Sequence, residues 1–145
     1  MIDDPLLSRA MEALLAGNHP VLGKLRTQLP HASASIQRTA IGLFANFAVP
    51  GALRVSGLGH LELGDIHIYL HGRDTPTHCV LHVDNGALGS IECYDMADQD
   101  WPEFPQVERI QYVSQKPRAA TIGNWRIQEI DSRDLAGLEL PDSAA

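Results

Sequence analysis

The stretch HCVLHVDNGALGSIECYD, residues 78–95, leaves the backbone few choices. Apolar and polar residues alternate on both sides of Asp84-Asn85-Gly86, and Asn and Gly tolerate the positive φ that a tight turn between antiparallel strands requires. The pattern predicts paired strands over residues 78–83 and 87–94. Period-two alternation puts Cys79, Leu81 and Val83 on one face and His78, Val80 and His82 on the other; on the return strand Ile91 and Cys93 alternate with Ser90, Glu92 and Tyr94. A hairpin with one apolar face is not stable alone, so the rest of the chain must cover that face.

The cover is at the N-terminus. In MIDDPLLSRAMEALLAG, residues Leu6, Leu7, Met11, Leu14 and Leu15 recur at helical spacing. Asp3 or Asp4 suits the cap, Pro5 the first turn and Gly17 the end. A second helix is expected to be capped by Asn18, to start at Pro20, to turn Val21, Leu22, Leu25 and Leu29 inward, and to stop at Pro30. From Ser35 the period changes. SIQRTAIGLFANFAV reads as one strand with Ile41, Leu43, Ala45 and Phe47 on a face and a bulge at Gly42. PGALRVSGLGH is loop chemistry, expected to be mobile. LELGDIHIYLHG alternates, but its parity slips between Leu63 and Ile66, a slip that a bulge at Gly64-Asp65 would absorb. ERIQYVS and NWRIQEI are two further strand segments. The expected fold is α+β: two N-terminal helices packed on an antiparallel sheet of five or six strands, in a single domain over residues 1–140 with 141–145 a frayed tail.

A chain of 145 residues, 44% hydrophobic and 20% charged, suits one domain with its own core. No apolar run approaches the ~20 residues that span a bilayer. The N-terminus is acidic before it is apolar, unlike a secretory signal, and two cysteines are too few for a disulfide scaffold, so a cytoplasmic location is expected. The net charge of −7 is unevenly spread: residues 1–60 carry five basic and three acidic side chains, residues 61–115 two and ten, the remainder four and five. An acidic middle repels phosphate backbones and attracts basic surfaces, which argues against nucleic acid and for a basic protein partner.

The sequence holds no complete catalytic motif. His67-x3-His71 and His78-x3-His82 lie on strands, where four residues span roughly 13 Å, so neither pair chelates one ion. A site would need cross-strand partners such as His67 with His82, and no CxxC or HExxH supports one; no metal and no other cofactor is expected. Cys79 and Cys93 read as buried free thiols, since nearby acids raise a thiol pKa. GALGS lacks the Gly-x-Ser-x-Gly elbow, and GLGH precedes a strand, not the helix N-terminus that a phosphate loop needs. No catalytic residue is assigned, and the chain is not expected to be an enzyme. One segment stands out: between Glu92 and Glu108 there are six acids and no base, with Tyr94, Trp101 and Phe104 interleaved. Acids steer a basic partner and aromatics anchor it, so Glu92, Asp95, Asp98, Asp100, Trp101 and Glu103 are the candidate partner-binding residues. A solvated loop whose aromatics plug the core is the competing reading.

The order of GNHPVLGKLRTQL, TAIGLFANFAVP, LELGDIHIYL, VLHVDNGALGSIECYD and DWP resembles a family of small uncharacterised bacterial proteins of the kind encoded beside polymorphic toxins. The likeness covers roughly residues 17–102, and its motifs are turns, strands and a Trp-Pro loop without a catalytic signature. It implies an immunity protein that neutralises a cognate toxin, with an acidic surface over the toxin's active site or substrate surface. The alternative is a small-ligand-binding protein or enzyme with a pocket between helices and sheet, using His67, His82 and Glu92 as its polar groups.

Overall fold

The computed structural model describes residues 2–114 and 128–142. Helix α1 spans Pro5–Leu14, and its cap is Asp4, whose carboxylate accepts the Leu7 N–H at 3.0 Å. The predicted stripe is buried and lies over the sheet. Helix α2 spans Pro20–Arg26, and its cap is His19, not Asn18: the imidazole Nδ1 accepts the Val21 N–H at 3.1 Å. Pro20 explains the shift by one residue. It forces the residue before it into extended backbone, which is the conformation an N-cap needs. The helix ends before Pro30, which falls in a short 3-10 turn over Leu29–His31.

The strands are β1 (Ser33–Arg38), β2 (Gly42–Ala48), β3 (Leu61–Leu70), β4 (Thr77–Asp84), β5 (Ala87–Asp95), β6 (Val107–Val113) and β7 (Glu129–Ile130). They form one sheet in the order β1-β2-β5-β4-β3-β6-β7, and every pairing is antiparallel. The class is therefore α+β as expected, but the described residues form seven strands instead of five or six. The additional strand comes from the segment read as one: residues 39–41 turn the chain back, so β1 pairs with β2. Gly42 is not a bulge. Any Cβ there would overlap the Cys93 carbonyl of β5, so the glycine is what lets the two backbones close. Of NWRIQEI, residues 124–127 lie outside the described residues, as do 143–145 of the tail.

The bulge in β3 falls where parity demanded it. Leu63 faces Leu81 and Ile66 faces Cys79, leaving Gly64 and Asp65 opposite Val80 alone. The β4–β5 hairpin turns through Asn85 (φ 51°) and Gly86 (φ 76°). Leu63, Ile66, Ile68, Cys79, Leu81, Val83, Ile91 and Cys93 face the helices in one apolar cluster with α1 and α2.

Two polar side chains, Gln28 and Arg133, bind distant segments to this frame. Gln28 donates to the carbonyls of Leu53 (3.0 Å) and Gly86 (2.9 Å) and accepts the Leu88 N–H (3.0 Å). Segment 50–60, expected to be mobile, is thereby tied to the hairpin turn: the Val55 N–H bonds the Gly86 carbonyl, and Val55 and Leu58 are buried. Arg133 pairs with Asp65 through two bonds of 2.9 Å and donates to the carbonyls of Ala13, Leu14 and Ala16 at the end of α1. The Ala13 carbonyl also accepts the Tyr112 hydroxyl at 2.7 Å, and with those of Leu14 and Ala16 it lies where a helix runs out of its own N–H donors, so the guanidinium caps α1 from the far end of the chain. Among the described residues, no helix is long and apolar enough to cross a membrane.

Candidate functional site

β5 leaves the sheet at Asp95 and runs directly into the acidic segment. Asp95 itself is fully buried. One carboxylate oxygen accepts the N–H groups of Ala97 (2.8 Å) and Gln99 (3.2 Å), and the other accepts Arg73 Nη1 at 2.9 Å. Its lone pairs are consumed inside the chain, so Asp95 is a loop anchor and is removed from the expected contact set. Two arginines hold the loop by its backbone: Arg73 donates to the Asp100 carbonyl, and Arg38 to the Glu103 carbonyl at 2.7 Å. Clamped by its carbonyls, the loop points its own acids outward. Glu92, Asp98, Asp100 and Glu103 are all exposed.

Trp101 behaves differently from an anchor. Its backbone N–H donates to the Ala40 carbonyl at 2.8 Å, and its ring packs half-buried against the core. It is the plug that the competing reading of this loop foresaw. The exposed apolar groups are others. Among the described residues the large hydrophobic side chains that stand out to solvent are Ile36, Tyr94, Met96 and Phe104, the last 79% exposed. Three of these four lie within the acidic segment, so the surface pairs acids with Tyr94, Met96 and Phe104 instead of with Trp101. Spacing alone does not tell a plug from an anchor beside a proline; the packing of the Trp101 ring against the core does.

The sheet face turned away from the helices carries the histidines. His67 faces His78 across β3 and β4, with ring centroids 5.9 Å apart, and His78 meets Tyr94 at 5.6 Å. His67 Nδ1 lies 3.2 Å from Glu129 Oε2, and the Tyr69 hydroxyl donates to the same oxygen. Burial lowers His67 below the ordinary histidine range, against the opposing pull of Glu129, and burial plus the neighbouring His67 pushes His78 down to about 4. This row is neutral at pH 7. His67 and His82 are not partners, because His82 faces Glu62 four positions further along β4. His67, His82 and Glu92 all lie on the face opposite the helices, so they cannot line a pocket between helices and sheet. That part of the ligand-binding reading is overturned by the register.

His82 has different company. His60, Glu62 and His82 bring one ligand-capable atom each within 4.8 Å of one another. His60 was not among the residues singled out from the sequence, since it precedes the strand and lacks a histidine at helical spacing. Cys79 and Cys93 face each other on the core side, free and buried, with their Sγ atoms 2.7 Å apart. Burial, then the adjacent thiol, holds Cys79 well above the usual thiol range, so it is not a nucleophile at neutral pH. Compared with known proteins, the chain matches no family model, no curated protein and no solved structure.

Proposed function

We propose that this chain is a protein-binding module of the immunity type, which neutralises a toxin domain by laying the acidic segment over a basic active site or substrate surface. The observation that carries the reading is the coincidence of exposed apolar side chains with exposed acids: Tyr94, Met96 and Phe104 stand among Glu92, Asp98, Asp100 and Glu103 at the end of β5 and on the loop after it, whose backbone is held by Arg73 and Arg38. Aromatic and methionine side chains supply desolvated contact, acids supply steering, and a preformed loop has little ordering entropy left to lose. The proposed contact set keeps Glu92, Asp98, Asp100 and Glu103, adds Tyr94, Met96 and Phe104, and leaves out Asp95 and Trp101.

The test begins with the protein as bait in its source cell, identification of the bound chain, and kinetics on the purified pair at two salt concentrations. Reversing Asp98 and Asp100 to Lys is expected to slow association about tenfold at low salt, with the difference shrinking as salt rises. Phe104→Ala is expected to speed dissociation without moving the melting temperature, because the ring is 79% exposed. A confirmed partner whose rates are indifferent to all three substitutions would place the interface elsewhere.

A further inference from the structure

On the outer face of β3 and β4, at the end nearest the hairpin turn, four side chains occupy the corners of a cross-strand rectangle. Glu62 faces His82 directly, and since Leu61 faces Val83, His60 lies against Asp84. Residues two apart on a strand share a face, so all four project the same way. His60 Nδ1 is 2.9 Å from Asp84 Oδ1, His60 Nε2 is 3.3 Å from Glu62 Oε1, and His82 Nδ1 is 3.4 Å from the same Glu62 oxygen.

These distances divide into two kinds. The His60–Asp84 contact has the length of a normal hydrogen bond, whereas charge-assisted bonds between imidazole and carboxylate run at about 2.7–2.9 Å, so the two Glu62 contacts are long for that purpose. They do fit another geometry. An ion bound tetrahedrally at about 2.1 Å from its nitrogen and oxygen ligands has ligand–ligand edges of roughly 3.4 Å. Two of the three edges of the His60–Glu62–His82 triangle therefore already have the spacing of a bound ion, and the third is within 4.8 Å. Asp84 completes the arrangement. By accepting from His60 Nδ1–H it fixes the tautomer that leaves Nε2 with its lone pair toward Glu62, the role a carboxylate plays behind a metal-bound histidine.

We propose that His60 Nε2, Glu62 Oε1 and His82 Nδ1 bind one divalent transition-metal ion of the zinc class, with Asp84 as the positioning residue. Two imidazoles and one carboxylate are the donor set of Zn²⁺ sites that keep a fourth position open, and here that position faces solvent: the three side chains are 56%, 58% and 25% exposed. The two carboxylates offset the charge of the ion. The site replaces the expectation that no metal binds, which was drawn from histidine pairs four apart on one strand. It shares no residue with the contact set proposed above.

The experiment is calorimetric titration of chelator-stripped protein with Zn²⁺, repeated with Co²⁺ to read the coordination from its absorption. The expected result is one ion per chain and a tetrahedral Co²⁺ spectrum. His60→Ala and His82→Ala should each weaken binding by at least about tenfold, and Asp84→Asn by about tenfold. His31→Ala and His71→Ala, on exposed histidines elsewhere, should leave it unchanged. Imidazole ¹⁵N spectra give a second reading that needs no variant: zinc should shift Nε2 of His60 and Nδ1 of His82, and leave the ring nitrogens of His71 in place. Absence of saturable binding, or binding that survives the His60→Ala/His82→Ala double variant, overturns the proposal.

Discussion

Removing the guanidinium of Arg133 should be among the most damaging single substitutions outside the apolar core. The side chain is 6% exposed and its partner Asp65 1%. Arg133→Met keeps much of the volume and the apolar stem but leaves the Asp65 carboxylate buried without its counter-charge, and it strips the Leu14 and Ala16 carbonyls at the end of α1 of the donor that Arg133 supplies. Breaking a buried pair by taking one partner costs about 3–5 kcal/mol, because the charge left behind is uncompensated. Against a domain stability of about 5–15 kcal/mol this is about a fifth or more of the total, and it should lower the melting temperature by roughly 10 °C. Arg133→Lys restores the charge but not the planar set of donors that serves two carboxylate oxygens and three carbonyls together, so it should recover less than half of the loss. Urea denaturation of Arg133→Met, Asp65→Ala and the double variant gives the coupling. The double variant should be less destabilised than Arg133→Met alone, since it no longer buries a charge. If Arg133→Met costs under about 1 kcal/mol, or if the two single effects add within about 0.5 kcal/mol, the two side chains are not acting as one buried unit and the reasoning fails.

Two further outcomes are expected. Gly86→Val should cost well over 2 kcal/mol, because φ is 76° and a Cβ there overlaps the Val55 carbonyl, whereas Gly72→Ala, at φ 80° but with open space around it, should cost only about 1 kcal/mol; equal denaturation midpoints for the two would refute the overlap. Stability should fall as pH is lowered from about 6.5 toward about 4, since His78 takes up its proton at 6.5 when unfolded but only at about 4 when folded, and the unfolded state therefore binds more protons in that window. His78 alone should contribute a loss of roughly 2 kcal/mol by pH 5, with His67 adding in the same direction, and urea midpoints measured for the parent and His78→Gln should converge as the pH falls. A His78→Gln variant with an unchanged pH slope would show that burial does not hold this imidazole neutral.

The elements that sequence alone determined are those whose cause lies within a few residues. Asp4 caps α1 because a short acceptor precedes Pro5; Asn85-Gly86 turns the hairpin because both residues adopt positive φ; the slip in parity between Leu63 and Ile66 has to become a bulge if both residues are to face the core. The cap of α2 missed by one residue, although the proline rule that places it at His19 is just as local. What tertiary structure decided depends on which strands lie side by side. Nothing near Gly42 tells that β5 will pass against it, so one long strand became two and the sheet gained a member. The His60–Glu62–His82–Asp84 rectangle exists only because the bulge shifts the β3–β4 register by one residue, and a shift of one exchanges every cross-strand partner. Arg133 reaches α1 across most of the chain, and Asp95 is acidic in composition yet spent on Arg73. Periodicity tells which face a residue takes, because the backbone repeats locally. Which side chain it meets there is set by pairing between distant segments, whose free energy comes from burying the whole core at once and leaves no mark on any short stretch of sequence.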